Sequence, residues 1–291
     1  MKFKSCTALV TPFDEKQNVD YDAFTILLEH QIANHIDAIL VLGTTGEAST
    51  FSYTEREKII KHCVKVVNKR CLLLIGTGSN SSRLAVKFTK QAKILGADGC
   101  VVVTPYYNKC TQNGLISHYK AIDKVGLPFL VYNVPSRTGL NISPATFLNL
   151  EKLENMHGLK EANGDVNHIL EILKIHTKPV YSGNDKLNHV FISHGADGCI
   201  SVLSNVFPKA IVDQCSSIKK SLKIHNEFYQ LNNLLFCEVN PIPTKFVLSK
   251  FNMCKNVLRL PLTPLEKANE QKILTELKKH HLDIKTNMKP H

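Results

Sequence analysis

Lys160 is the residue that most demands a chemical explanation. It follows Gly158-Leu159 in a short apolar stretch and precedes Glu161-Ala162-Asn163-Gly164. A lysine set mid-strand inside a closed sheet is costly unless its charge is lost or paired. Free lysine has a pKa of about 10.4, so only about one side chain in 2,500 is neutral at pH 7. Burial raises that fraction by disfavouring the ammonium, and the neutral amine is a Schiff-base nucleophile. Pairing with Glu161 or snorkelling to the rim would also accommodate the residue, and position alone leaves both readings open.

Three other groups could assist such an amine. Tyr132 lies on the preceding predicted strand, where its hydroxyl could pass protons while a carbinolamine forms and collapses. Thr44 could connect it to Tyr107 as a short hydroxyl relay, although threonines also cap helices and tyrosines also fill cores. Arg137, in the turn Pro135-Ser136-Arg137-Thr138-Gly139, could clamp a carboxylate through a bidentate pair or form a surface salt bridge. Other chemistries lack their residues. Gly76-Thr77-Gly78-Ser79-Asn80-Ser81-Ser82 has no Gly-Lys-Ser/Thr ending, so it reads as a strand-to-helix turn rather than a phosphate loop. There is no His-Glu-x-x-His, no clustered Cys/His spacing and no Gly-x-Ser-x-Gly elbow, which argues against zinc and against a serine hydrolase. His280 and His281 are expected on a solvated helix end.

These residues need a frame, and the chain alternates short apolar strands with amphipathic helices. Strands are predicted at 7–11, 37–43, 71–76, 99–104, 128–134, 157–161, 179–183 and 198–203, most of them apolar on both faces, as helix-covered parallel strands should be. A helix over 20–35 places Phe24, Leu27, Leu28 and Ile32 on one face. Ser52-Tyr53-Thr54-Glu55 has the form of a capping box, and Ser143-Pro144 and Asp185 are further helix starts. Eight such units predict an α/β fold of the (β/α)₈ TIM-barrel class, with the site at the carboxyl ends of the strands. The pentapeptide Gly96-Ala97-Asp98-Gly99-Cys100 recurs as Gly195-Ala196-Asp197-Gly198-Cys199, half a barrel apart. Beyond residue 220 helices follow without strands, at 223–236, 242–252 and 264–281, the last opened by a Thr263-Pro264-Leu265-Glu266 box. The expected division is a barrel over 1–220 carrying the active site and a helical extension over 221–291.

Composition excludes several classes. Of 291 residues 43% are hydrophobic and 21% charged, which rules out disorder. No apolar run approaches the roughly 20 residues of a membrane span. The formal charge is +11, but residues 221–291 hold 11 basic against 6 acidic side chains, so the excess is spread along the chain and marks no nucleic-acid surface. The amino-terminal residues lack a signal-peptide core, and nine cysteines without a Cys-x-x-Cys read as free thiols, so a cytoplasmic location is expected.

The same residues resemble the 4-hydroxy-tetrahydrodipicolinate synthase (dihydrodipicolinate synthase) family. The resemblance is carried by Thr11-Pro12-Phe13, Gly43-Thr44-Thr45-Gly46-Glu47, Gly76-Thr77-Gly78, Thr104-Pro105-Tyr106-Tyr107-Asn108, the stretch 132–139, Lys160-Glu161-Ala162, Asn240-Pro241-Ile242-Pro243 and Arg259-Leu260-Pro261-Leu262. It implies a pyruvate-dependent lyase in which Lys160 forms the Schiff base and needs no separate cofactor. Tyr132, Thr44 and Tyr107 would form the proton relay, with Tyr107 reaching in from a neighbouring subunit. Thr45, Arg137, Gly183 and Ile200 would bind substrate, Arg137 taking the carboxylate of L-aspartate 4-semialdehyde at the mouth of the site. The product would be 4-hydroxy-tetrahydrodipicolinate, on the route to diaminopimelate and lysine. The implied assembly is a homo-oligomer, a dimer of dimers, with no nucleic-acid or membrane partner. Sister families, N-acetylneuraminate lyase and 2-keto-3-deoxy sugar-acid aldolases, share the lysine and tyrosine but usually differ after strand five. Feedback-sensitive members bind lysine near positions 49–56 and 80–84. Here Asn80 and Tyr106 match, whereas Leu84 replaces a glutamate and Arg56 a common histidine, so weak or absent lysine inhibition is expected.

Overall fold

In the computed structural model, which describes residues 1–280, eight parallel strands close into a barrel in chain order. They are β1 Ser5–Ala8, β2 Ala38–Val41, β3 Leu72–Gly76, β4 Gly99–Val103, β5 Phe129–Asn133, β6 Met156–Glu161, β7 Val180–Ser182 and β8 Gly198–Ser201. Closure is made at β1, where Thr7 is registered with Ile39 of β2 on one side and Ser201 of β8 on the other. The expected TIM barrel is therefore present. Its first strand starts two residues earlier than predicted and ends sooner. The Asp37 carboxylate accepts from the Lys4 and Ser5 amides at 2.9 Å, and the Val10 amide leaves the ladder to donate to Asn205 Oδ1.

Alternation along the strands sorts their side chains into two cores. Ile39, Val41, Leu73, Ile75, Cys100, Val102, Phe129 and Val131 point outward beneath the helices. Ala38, Leu40, Leu74, Val101, Leu130 and Tyr132 point inward, where Phe3 stacks on Tyr181 with centroids 4.1 Å apart. The repeated pentapeptide has a shared structural job. Gly96 and Gly195 take φ near +93° and +94° after their helices, which favours glycine. Asp98 and Asp197 then accept from the Leu73 and Val180 amides of the preceding strands.

Helix starts follow the predicted chemistry in part. Asp20 caps the helix Tyr21–Ala33, Ser52 and Glu55 form a reciprocal capping box, and Ser143 caps Pro144–Leu150. Asp185 instead opens a 3₁₀ turn, because its carboxylate is turned back to accept from the Val202 and Leu203 amides. The Thr263 box does not form. The last described helix runs Lys267–Lys279, and the Glu238 carboxylate accepts from the Glu266 amide and from Asn269. Helices Ile218–Leu234 and Ile242–Lys250 precede it. His280 is not on a solvated end: its ring stacks on Phe228, centroids 4.7 Å apart. His281 lies outside the described residues. All nine cysteines are free among these residues, and burial raises the thiol pKa of Cys6, Cys63, Cys100 and Cys254. No described helix is long and apolar enough to cross a membrane.

One buried ion pair joins the carboxy-terminal helices to the loop after β2. Lys245, in the helix Ile242–Lys250, donates to Glu47 Oε1 at 2.5 Å and to the Val257 carbonyl at 2.9 Å, and both side chains are fully buried. Glu47 Oε2 accepts the Arg259 amide, and the Arg259 guanidinium lies between Phe13 and Phe51. Removing one member of such a pair strands a charge in a dry interior. Lys245→Met should therefore cost about 3–5 kcal/mol, read as a lowered urea midpoint at unchanged slope. Glu47→Gln combined with Lys245→Met should recover most of the loss. Additive losses in the double variant would show that the pair is not coupled.

Candidate active site

The carboxyl ends of the strands surround a cavity of about 940 Å³, and Lys160, Tyr132, Thr44, Thr45, Arg137 and Gly183 all line it. Lys160 comes from β6 and Tyr132 from β5, directly opposite one another in the strand register. That pairing puts Lys160 Nζ 4.3 Å from the centre of the Tyr132 ring. Both side chains are buried, Lys160 to 5% exposure. The alternative partner for the lysine is excluded by the pleat. Glu161 points to the opposite side of β6, where Asn133 and the Asn163 amide bind its carboxylate. No ion pair among the described residues involves Lys160. The amine thus lies beside an aromatic ring with no carboxylate paired to it.

Gly183, at the end of β7, makes room for that amine. A Cβ there would lie 2.9 Å from Lys160 Cε and 3.0 Å from Ala162 Cβ. Any larger residue would force the lysine side chain to shift.

Thr44 and Thr45 sit in the turn Gly43–Glu47 held by the buried ion pair. Thr45 is buried, and its Oγ1 accepts from Asn240 Nδ2 at 2.9 Å. Arg137 extends from the short helix Pro135–Thr138 and donates to the Asn240 carbonyl at 3.3 Å. Asn240 therefore links the threonine turn to the arginine. Its role was not apparent in the sequence, where it stood only as part of a Pro-rich motif; the signal was an amide beside two prolines at the junction of two helices.

Two of the expected site residues are not in the cavity wall. Tyr107 stands outward, 90% exposed, with φ of +71°, and Tyr106 takes the wall position instead. Ile200 is buried in the inner apolar cluster beside Cys6 and Ala8, and Val202 forms the wall at β8.

The cavity continues past the threonines to Ser79, Asn80, Leu84, Phe88 and Arg56. Arg56 is buried, its guanidinium 4.2 Å from the Phe88 ring centre and donating to the Gly76 carbonyl. Burial pulls its pKa down to about 10, so it remains a cation at neutral pH. Leu84 is exposed.

Comparisons with known proteins place the chain in a family and match its fold. The family model described as the dihydrodipicolinate synthetase family matches residues 2–280. The 4-hydroxy-tetrahydrodipicolinate synthase of Alkaliphilus oremlandii is 46% identical over 283 residues, 94% of this chain and 97% of the relative. The crystal structure of dihydrodipicolinate synthase from Aquifex aeolicus superposes with a TM-score of 0.94 at 40% identity, over 97% of this chain and 99% of that one. A dihydrodipicolinate synthase of Acinetobacter baumannii in complex with pyruvate gives the same score, identity and coverage. With the match running through nearly every described residue, this chain belongs to the dihydrodipicolinate synthetase family.

Proposed function

We propose that this chain condenses pyruvate with L-aspartate 4-semialdehyde through a Schiff base on Lys160, giving 4-hydroxy-tetrahydrodipicolinate for diaminopimelate and lysine synthesis. The observation that carries the reading is the buried Lys160 amine, without an ion-pair partner, facing Tyr132 inside a cavity that also holds Arg137. Family membership supports the same chemistry.

The neutral amine adds to the keto carbon of pyruvate, and water leaves as the imine forms. Tyr132 moves the protons of that addition and loss, with Thr44 beside it and Tyr107 supplied by a second copy of the chain. Its outward, highly exposed position in one chain suits such a shared role. Loss of a proton from the pyruvate methyl gives an enamine, whose carbon attacks the aldehyde of the second substrate. The amino group of the adduct then displaces Lys160 from the imine carbon, which closes the ring and frees the lysine. Thr45, fixed by Asn240, holds the pyruvate carboxylate, and Arg137 takes the carboxylate of the semialdehyde. Gly183 shapes the space for the lysine, and Ile200 supports the β8 wall from within. The working unit is a homo-oligomer of at least two chains, a dimer of dimers in the full assembly. It acts in the cytoplasm, with no cofactor beyond the substrate imine. The barrel over 1–220 supplies the reacting groups, and the helical part over 221–291 braces them.

Borohydride reduction in the presence of pyruvate should leave one stable adduct, on the peptide containing Lys160; an unmodified Lys160 with another lysine labelled would refute the assignment. Arg137→Ala should lower kcat/KM for the semialdehyde about 10- to 100-fold, the loss of one hydrogen-bonded charge at roughly 1.5–3 kcal/mol, while adduct formation with pyruvate persists. Equal loss of both would contradict its role. Lysine should not inhibit half-maximally in the micromolar to submillimolar range, because Leu84 offers no carboxylate to its ammonium and Arg56 adds a buried like charge. A steady-state assay showing inhibition in that range would overturn this.

A further inference from the structure

The lysine–tyrosine pair is one rung of the β5–β6 ladder, and the next rung is Asn133 opposite Glu161. Alternation turns this second pair outward, into the layer between barrel and helices. Glu161 is fully buried there, yet each of its oxygens has a donor. Asn133 Nδ2 lies 3.0 Å from Oε1 and 2.9 Å from Oε2, and the Asn163 amide donates to Oε1 at 2.7 Å. His168 Nε2, from the helix Val166–Ile175, stands 3.6 Å from Oε2, and its pKa is raised by that carboxylate.

The cluster reaches further through Asn133. Its Nδ2 is 2.7 Å from Asn141 Oδ1, and its Oδ1 accepts from the Ile142 amide at 3.2 Å. Asn163 Nδ2 also approaches Asn141 Oδ1, at 3.3 Å. One carboxylate thereby ties together the end of β5, the end of β6, the return of the chain after Arg137 and a covering helix. A buried carboxylate is costly, and here the donors offset that cost only when the four segments keep their places. The rung one step inward carries the reacting groups, so a slip or splay at Glu161 displaces Lys160 relative to Tyr132.

We propose that Glu161 is a positioning residue for the reaction: by gripping Asn133 on the outer face of the β5–β6 ladder, it holds the Lys160 amine in line with Tyr132. The proposal rests on the Schiff-base reading of Lys160. Its prediction concerns the rate of imine formation, since a displacement of about 1 Å at a reacting pair can cost about 10²-fold.

The test is a reciprocal exchange. Asn133→Asp sets two carboxylates against each other and should slow formation of the borohydride-trapped pyruvate adduct by about 10²-fold, with kcat falling in step. Pyruvate KM should change less than about threefold, because the carboxylate-binding groups are untouched. Glu161→Gln alone, which keeps the shape but loses the charge, should fall between that variant and the parent. Glu161→Gln added to Asn133→Asp puts one amide and one carboxylate back in contact with their roles exchanged, and should recover at least about tenfold over Asn133→Asp. Should Asn133→Asp fail to fold, Asn141→Ala, at an exposed position, loosens only the outer ring; it should retain the parent's urea midpoint yet slow the adduct by about 3- to 10-fold. Adduct rates within threefold of the parent in folded Asn133→Asp, or in Asn141→Ala where the former does not fold, would overturn the proposal. So would an exchange variant no faster than Asn133→Asp. A parent protein that forms no adduct on Lys160 would refute the Schiff-base reading itself, whatever the variants do.

Discussion

Closure of the sheet between β1 and β8 is the constraint on which the rest depends. Once the sheet closes, a side chain facing inward meets only the other strands, and the space fills with Leu40, Leu74, Val101, Leu130 and their neighbours. A polar group admitted to that interior is placed by the strand register rather than by solvent. Lys160 and Tyr132 occupy opposed positions on adjacent strands, so hydrogen bonds of the backbone ladder set their approach. A loop could not hold two long side chains with the same economy of freedom, because each would first have to be ordered.

Three buried cations show how the fold assigns different fates to similar charges. Lys245 is paired with Glu47 and a backbone carbonyl, with the Phe13 ring 3.9 Å away, and serves to dock a helix. Arg56 has the Gly76 carbonyl and the Phe88 ring but no carboxylate among the described ion pairs, and its guanidinium stays charged because so basic a group gives up its proton reluctantly. Lys160 has the Tyr132 ring 4.3 Å away and no carboxylate among the described ion pairs, so its amine faces the cavity without a partner anion. Burial thus comes with three different partner sets, and the pleat gives Lys160 its own by turning Glu161 to the other side of β6.

Much of this was legible in the residues. The eight strand–helix units follow from short apolar runs separated by capped helices, because strands covered on both faces cannot hide their pattern. Lys160 was visible as a charge in an apolar run, and Tyr132 and Arg137 as neighbours of strand ends. What escaped were features that depend on partners far along the chain. Asp185 has the sequence of a helix cap, yet the Val202 and Leu203 amides compete for its carboxylate and win. Thr263-Pro264-Leu265-Glu266 has the letters of a capping box, but the Glu238 carboxylate already accepts from the Glu266 amide. His280 reads as a solvated end until Phe228 is found beneath it. Local chemistry predicts a cap well only where no long-range donor or acceptor intervenes.

The carboxy-terminal helices illustrate why the site cannot be read from the barrel alone. Asn240 precedes the helix Ile242–Lys250, far from the strands in sequence, yet its amide holds Thr45 and its carbonyl receives Arg137. Five residues on, Lys245 locks the same helix to Glu47, two residues beyond Thr45. The helix is thus attached twice to one short turn, once by a polar contact at the cavity and once by a fully buried charge pair behind it. Two attachments remove the freedom of the turn to rotate about either one, so the hydroxyls of Thr44 and Thr45 are presented to the cavity by a rigid support rather than by a loop free to sample alternatives. The strands therefore place the amine and the helices place the groups around it, and a change in either layer is felt at the same few ångströms of the cavity.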